Sequence, residues 1–363
     1  MTKAAELAKM GEVLTNSQIG GRRNMVINGA MQVAQRGTSF TGVSNADYTL
    51  DRFESGSSGS ELVYDVEQST DAPNGFSNSY KVTVTTEETT LSAGDNMTVR
   101  YNFEGQDLQQ LKKGTSDAEK VTVSFYVKSS VASTYSLELF DQDNTRSHGQ
   151  KYTITSADTW EYKTITFDGD TSGSLDNDAN KSMRLQFWLD AGSEYTSGTQ
   201  STTWQANLAS ERVEQSTGFM TTANATWQIT GVQLEVSEQA TPFEHRSFGE
   251  ELALCQRYMH RWDGTTGGNN TLLCMGFASS TDRARGVYTY PQTMRDSPSL
   301  SATGDYRFFD GSVRTVTSGN VTIQRDGVTQ CYVQFLSTAA TQYRPCEMSA
   351  NGANCSIDFE AEL

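Results

Sequence analysis

The stretch MRLQFWLDAG (183–192) alternates, with Leu185, Phe187 and Leu189 on one side of an extended chain and Arg184, Gln186, Trp188 and Asp190 on the other. MTVRYNFEG (97–105) repeats the pattern, setting Val99, Tyr101 and Phe103 against Arg100, Asn102 and Glu104. KVTVSFYVKS (120–129) sets Val123, Phe125 and Val127 against Ser124, Tyr126 and Lys128. The polar sides therefore carry guanidinium, amide and carboxylate groups beside two aromatic rings. Sugar recognition needs that mixture: planar polar groups hold hydroxyls, and a ring face covers the C–H side of a pyranose. Arg100, Asn102, Tyr126, Arg184, Gln186 and Trp188 are thus glycan-binding candidates, joined by Tyr195 and Trp204 in the Gly/Ser/Thr-rich loop 192–204. The same pattern also suits a second buried layer or a subunit contact, in which Trp188 and Tyr126 would be packing residues.

Other chemistries find less support. His148, His245 and His260 sit in no recognisable catalytic setting, and no GxSxG, HExxH or Walker-type loop occurs. A glycosidase needs two carboxylates flanking a bond; 44 Asp and Glu could supply them, but the strands carry Thr, Gln and Arg more than inward carboxylates. No catalytic residue and no cofactor is expected. DGDTSGSLDNDAN (168–180) partly fits a calcium loop, with Asp168, Asp170, Ser172, Gly173 and Asp176 at suitable positions. Ala179 stands where the bidentate carboxylate belongs, however, so a solvated acidic hairpin loop is the reading, no metal is expected, and calcium at Asp168, Asp170 and Asp176 is the alternative. Cys255, Cys274, Cys331, Cys346 and Cys355 are odd in number and without CxxC spacing, so buried reduced thiols are expected.

The elements that must position these residues read as strands. A chain of 363 residues suits two domains and a short arm. A formal net charge of −16 repels phosphate backbones and anionic lipid, so neither a nucleic-acid partner nor membrane insertion is expected. No apolar stretch approaches the roughly 20 residues of a membrane span. The N-terminus lacks the apolar core of a signal peptide, which predicts synthesis and folding in a cytoplasm. Residues 2–14 are rich in helix formers, with Leu7, Met10 and Leu14 on one side; a helix this short needs a partner and is an anchor or oligomer candidate, a frayed terminus being the alternative. Residues 1–44 are accordingly predicted to be an N-terminal helix and attachment arm. Alternating segments at 79–86, 97–105, 120–129, 134–141, 160–169, 183–192 and 227–236, with turns but no helices between them, predict an all-β antiparallel jelly-roll β-sandwich over 45–246. Ser247 and Glu250 form a capping box that opens a short linking helix over 247–262, with Leu252, Cys255 and Met259 at helical spacing as a possible oligomer contact. Residues 263–363 predict a smaller C-terminal β-sandwich. There Arg283, Arg285, Tyr288, Tyr290, Tyr306, Phe308 and Phe309 either line a recognition tip or form oligomer core.

GVQLEV followed by ATPFEHRSFGEELALCQRY (240–258) resembles the hinge of many bacteriophage tail-fibre and virion structural proteins, especially those of marine phages. NMVINGAMQVAQRGTSF with YTLDRF resembles the opening of the same proteins, and YPQTMRDSPSL a segment of their C-terminal domains. The central region resembles carbohydrate-binding jelly rolls in strand pattern and in the closing GVQLEV, without a motif that transfers binding residues. The resemblance implies a non-enzymatic virion protein, made in the host cytoplasm and assembled as a homotrimer. It would attach to a tail or virion adaptor through the N-terminal arm and bind host-surface glycan. A glycan depolymerase and a purely architectural head or tail decoration protein remain the alternatives.

Overall fold

The computed structural model describes Lys3 and residues 23–264, 271–337, 340–352 and 354–363. Leu7, Met10 and Leu14 lie outside the described residues. Two compact units are present, one up to Glu251 together with Leu363, the other Leu252–Glu362.

The first unit is an antiparallel jelly-roll β-sandwich. Its strands are β1 (Ser39–Phe40), β2 (Phe53–Ser58), β3 (Val63–Ser69), β4 (Ser79–Thr86), β5 (Asn96–Glu104), β6 (Val121–Ser129), β7 (Thr134–Asp141), β8 (Arg146–Thr153), β9 (Glu161–Phe167), β10 (Lys181–Ala191), β11 (Gln205–Ala206) and β12 (Thr226–Val236). One sheet has the order β1-β3-β4-β12-β6-β9, the other β11-β8-β7-β10-β5-β2. The apolar sides of the alternating strands meet between the sheets. Phe125 of β6 packs edge-on against Phe187 of β10 at 5.1 Å and against Tyr152 of β8 at 5.2 Å. Leu185, Phe187, Leu189, Val99, Val123 and Val127 are all sealed from solvent. Burial of this kind is the main driving force for closing two sheets.

Residues 23–44 belong to this sandwich, so the attachment arm expected over 1–44 does not extend that far. The reason is local. Met25, Val26, Ile27, Met31 and Val33 are buried, and the Asn24 side chain makes three backbone hydrogen bonds. Its Nδ2 donates to the Val232 carbonyl at 3.0 Å, and its Oδ1 accepts from Val26 N at 2.9 Å and Leu234 N at 3.1 Å. Glu244 Oε2 in turn accepts from Asn24 N at 2.7 Å.

Helix α1 (Ser193–Thr196) lies in the connection after β10, and α2 (Phe248–Cys255) spans the division between the units. The capping box is formed: Ser247 Oγ donates to Glu250 Oε2 at 2.8 Å and accepts from Glu250 N at 3.3 Å. The linking helix ends at Cys255, short of the predicted 262. Met259–Asp263 is strand β13, paired with β22, so Leu252, Cys255 and Met259 do not form one helical stripe. Cys255 and Met259 are also fully buried, which removes them as trimer contacts.

The second unit continues with β14 (Leu272–Ser280), β15 (Arg283–Thr289), β16 (Ser299–Thr303), β17 (Asp305–Phe309), β18 (Val313–Thr317), β19 (Val321–Gln324), β20 (Gln330–Leu336), β21 (Pro345–Ala350) and β22 (Ser356–Glu360). It is the smaller sandwich, with sheets β13-β22-β16 and β18-β17-β21-β14-β15-β20-β19. Tyr290, Tyr306 and Phe308 are in its core rather than at a tip or oligomer contact; Tyr306 meets Phe335 at 5.4 Å. All five cysteines are buried thiols, and burial, reinforced by Cys346 and Cys331, pushes Cys274 up to about 12.

Replacing Asn24 by Ala leaves buried backbone groups without partners and should lower unfolding free energy by roughly 2–4 kcal/mol. Urea unfolding of N24A measures it; an unchanged midpoint would mean that residues 23–44 are a detachable arm.

Candidate functional site

Strands β5 and β10 are neighbours, and their register sets Asn102 opposite Arg184 and Arg100 opposite Gln186. On the far side of β10, Glu138 of β7 stands opposite Gln186 and Phe140 opposite Arg184. β2 brings Glu54 beside Arg100. Five of the eight glycan candidates, Arg100, Asn102, Arg184, Gln186 and Trp188, therefore share one face of one sheet, the face turned away from the sandwich core.

That face divides into two parts. Over Trp188 it is closed. The indole is only 2% exposed, correcting its place among the glycan candidates and favouring the second buried layer; Gln186 at 2% and Asn102 at 0% are buried as well and are corrected with it. Its Nε1 donates to Glu138 Oε2 at 3.1 Å, the Arg212 guanidinium lies 4.8 Å from its ring centre, and Tyr195 of α1 packs at 5.2 Å. Tyr195 thus serves as part of the cover. Arg212 grips Glu138 in a two-pronged pair at 2.9 and 2.7 Å. Asp190 fastens the far end of the covering segment, accepting from Ser216 Oγ at 2.7 Å, Thr217 N at 2.9 Å and Met220 N at 2.9 Å.

The other part is a charged patch. Glu54 accepts from Asn102 Nδ2 at 2.6 Å and from Arg100 Nη1 at 3.2 Å, with Lys181 Nζ at 3.8 Å. Arg184 Nε donates to Asn102 Oδ1 at 3.1 Å. Gly56 lets this happen, because a Cβ there would fall 2.1 Å from the Arg100 guanidinium carbon. Burial pulls the Glu54 carboxyl up, but Lys181, the Asn102 amide, Arg184 and Arg100 outweigh it and hold it below the usual carboxylate value. The cations move the other way. Burial and then repulsion from Arg184 and Arg100 lower Lys181 despite Glu54, and burial and Arg100 lower Arg184 likewise. Arg100, Lys181 and Arg184 are half-buried, so their donors are held on a rigid sheet at the solvent boundary. Such an array can present several charge-assisted hydrogen bonds at once.

The remaining candidates lie elsewhere. Tyr126 is on β6 of the opposite sheet, half-buried, 4.8 Å from Tyr162 and 5.5 Å from Phe76. Trp204 donates to the Asp168 carbonyl at 2.7 Å and stands 5.3 Å from the Lys113 ammonium. Lys113 also argues against the calcium alternative. Its Nζ sits among Asp141 Oδ2 at 2.5 Å, Asp170 Oδ2 at 3.0 Å, and the carbonyls of Ser172 at 3.0 Å and Gly173 at 2.7 Å. An ammonium therefore occupies the oxygen cage where a cation would go. Arg146 takes Asp170 from the other side at 2.7 Å, while Asp168 pairs with Lys120 at 3.2 Å. Asp176 uses its backbone N–H to bond Asp143. The described residues hold no cluster of His, Cys, Asp or Glu suited to a metal.

The sequence reading missed Glu54, Lys181, Glu138, Arg212 and Lys113. Glu54 carried no periodic signal, since FESGSS (53–58) is polar or Gly at every position after Phe53; Arg212 and Lys113 sit in irregular segments that carry no period.

No family model matches the chain, and no curated protein matches it. Solved structures that are similar include TmCBM61 in complex with beta-1,4-galactotriose, at 8% identity and a TM-score of 0.30, covering 60% of this chain and 100% of that one. A second is the family 11 carbohydrate-binding module of the cellulase Lic26A-Cel5E of Clostridium thermocellum, at 13% identity and 0.29, covering 56% and 98%. A third is the enzymatically active domain of bacteriophage CBA120 tailspike protein 4, at 9% and 0.29, covering 55% of this chain and 22% of that one.

Replacing Lys113 by Met leaves Asp141 and Asp170 buried beside an emptied cage and should cost about 3–5 kcal/mol. A chelator should leave the melting temperature of the native chain unchanged; a drop on adding EDTA would restore the metal reading. A second expectation concerns pH. Burial pushes His148 down to about 4, against the opposing pull of Asp168, the Thr202 backbone and Asp170. The unfolded chain takes up a proton near the ordinary value of 6.5 that the fold refuses, so stability should fall as pH drops from 6.5 toward 4. Urea midpoints across that window check it, and His148→Gln should flatten the slope; an equal slope in the variant would contradict the assignment.

Proposed function

We propose that this chain is a non-enzymatic bacteriophage virion protein, a tail fibre whose first sandwich binds host-surface glycan. The observation that carries the reading is the group Arg100, Lys181 and Arg184, brought to the solvent boundary on one rigid face by two adjacent strands and braced by the buried Asn102. Guanidinium and ammonium groups fixed on a sheet suit sugar oxygens, because their donors need little ordering on binding. Glu54 is a poor general acid, since a carboxyl held below its usual value gives up its proton long before neutral pH. Glu138 is already gripped by Arg212.

The tail-fibre part of the proposal rests on the hinge sequence through 258 and the opening at 24–53. The homotrimer follows from the same resemblance, and the outer face of the seven-stranded sheet supports a contact with another protein chain. Register places Val313 beside Phe309, and Phe309 and Met275 each beside Glu347. Phe309, Val313, Met275 and Val287 are all exposed there, Met275 by 61%. Apolar rows of this kind mark surfaces that pack against another protein. The N-terminal residues would hold the virion adaptor.

Light scattering on the full chain should give a mass near three times 39.9 kDa, and the same sample should bind host cells and extracted surface glycan without releasing sugar. A monomer that binds neither would leave an architectural subunit, and release of reducing ends would make it a depolymerase.

A further inference from the structure

Around Arg100, Lys181 and Arg184 the patch offers two buried carboxylates, Glu54 and, opposite Lys181, Glu104, although the chain as a whole is strongly acidic. Glu54 is shared by Arg100, Lys181 and Arg184, and its oxygens are already committed to Arg100 at 3.2 Å and Asn102 at 2.6 Å. Lys181 is left at 3.8 Å, the outer edge of ion-pair range. Arg184 has Asn102 Oδ1 as its hydrogen-bond partner, and no carboxylate among the described residues lies within ion-pair range of it. Both cations are half-buried, and repulsion from their neighbours disfavours their charged forms. Two adjacent cations in this state are stabilised by one anion placed between them.

Building on the glycan reading, we infer that this face selects acidic sugars, with the sugar carboxylate held between Arg184 and Lys181. Bulk charge cannot be the cause of such binding, because a net charge of −16 repels a polyanion. Recognition must come from the local placement of the two cations, and a neutral sugar would leave them uncompensated.

The test uses the full chain and a panel of acidic polysaccharides, polygalacturonate, alginate and extracted bacterial capsules, each paired with its carboxyl-reduced twin. Binding should be at least about tenfold tighter to the acid of a pair, and should weaken as salt rises. Arg184→Gln and Lys181→Gln should each remove most of that preference; melting temperature confirms folding, and either variant suffices if the other fails to fold. Equal or tighter binding to the reduced twins would overturn the acid selectivity and leave the glycan reading standing. A preference unchanged in both variants would overturn the site. Binding to no member of the panel would overturn the selectivity and the glycan reading together.

Discussion

The Glu138 carboxylate, wholly buried on the outer face of its sheet, is the point on which the working surface depends. It is satisfied by both prongs of Arg212 and by the Trp188 indole. Remove that arrangement and a buried charge is left unpaired, which is among the larger single penalties a fold can suffer. Because it is satisfied, the segment after β10 can lie across half of the sheet and leave the other half at the surface. The boundary between covered packing and open polar groups is thus drawn by one ion pair.

The same logic recurs along the sandwich. Asp190 ties down the segment's end through Ser216, Thr217 and Met220. Lys113 fills an oxygen cage that resembles a metal loop in sequence. Each is a buried charge met by geometry rather than by solvent, and each fixes an irregular segment that has little apolar content of its own. The face that remains, with Arg100, Lys181 and Arg184 around Glu54, is where this economy is incomplete. There the protein's own groups do not fully answer one another, and the functional proposal starts from that shortfall.

Much of the scaffold was legible in the sequence. Alternation placed Leu185, Phe187, Tyr101 and Phe125 inward, and all are buried. The period-two pattern gave β4 and β7 their full extents, because strands with one apolar face declare themselves. β8 (Arg146–Thr153) was missed since its inward residues, His148 and Tyr152, are too few and too polar to make a period. The error at Trp188 has a related cause. Alternation tells which side of a strand a residue takes, but not whether a later segment will cover that side. Arg212, which does the covering, lies twenty-four positions downstream in an irregular stretch. The partial likeness to a calcium loop misleads similarly, because the cation that fills the loop comes from Lys113, far away in sequence. At 255–263 the helical spacing of Cys255 and Met259 was real but was overridden by the pairing of Met259–Asp263 with β22.

The central claim is that ligand meets the Arg100–Lys181–Arg184 face. Nitrogen-resolved NMR of the side chains, with host glycan fragments titrated into the full chain, tests it most directly. The account predicts that the Arg100 and Arg184 Nε–H signals and the Lys181 ammonium signal shift together and saturate with one affinity. Shifts confined to the opposite sheet, around Tyr126 and Tyr162, with those three unmoved would contradict it.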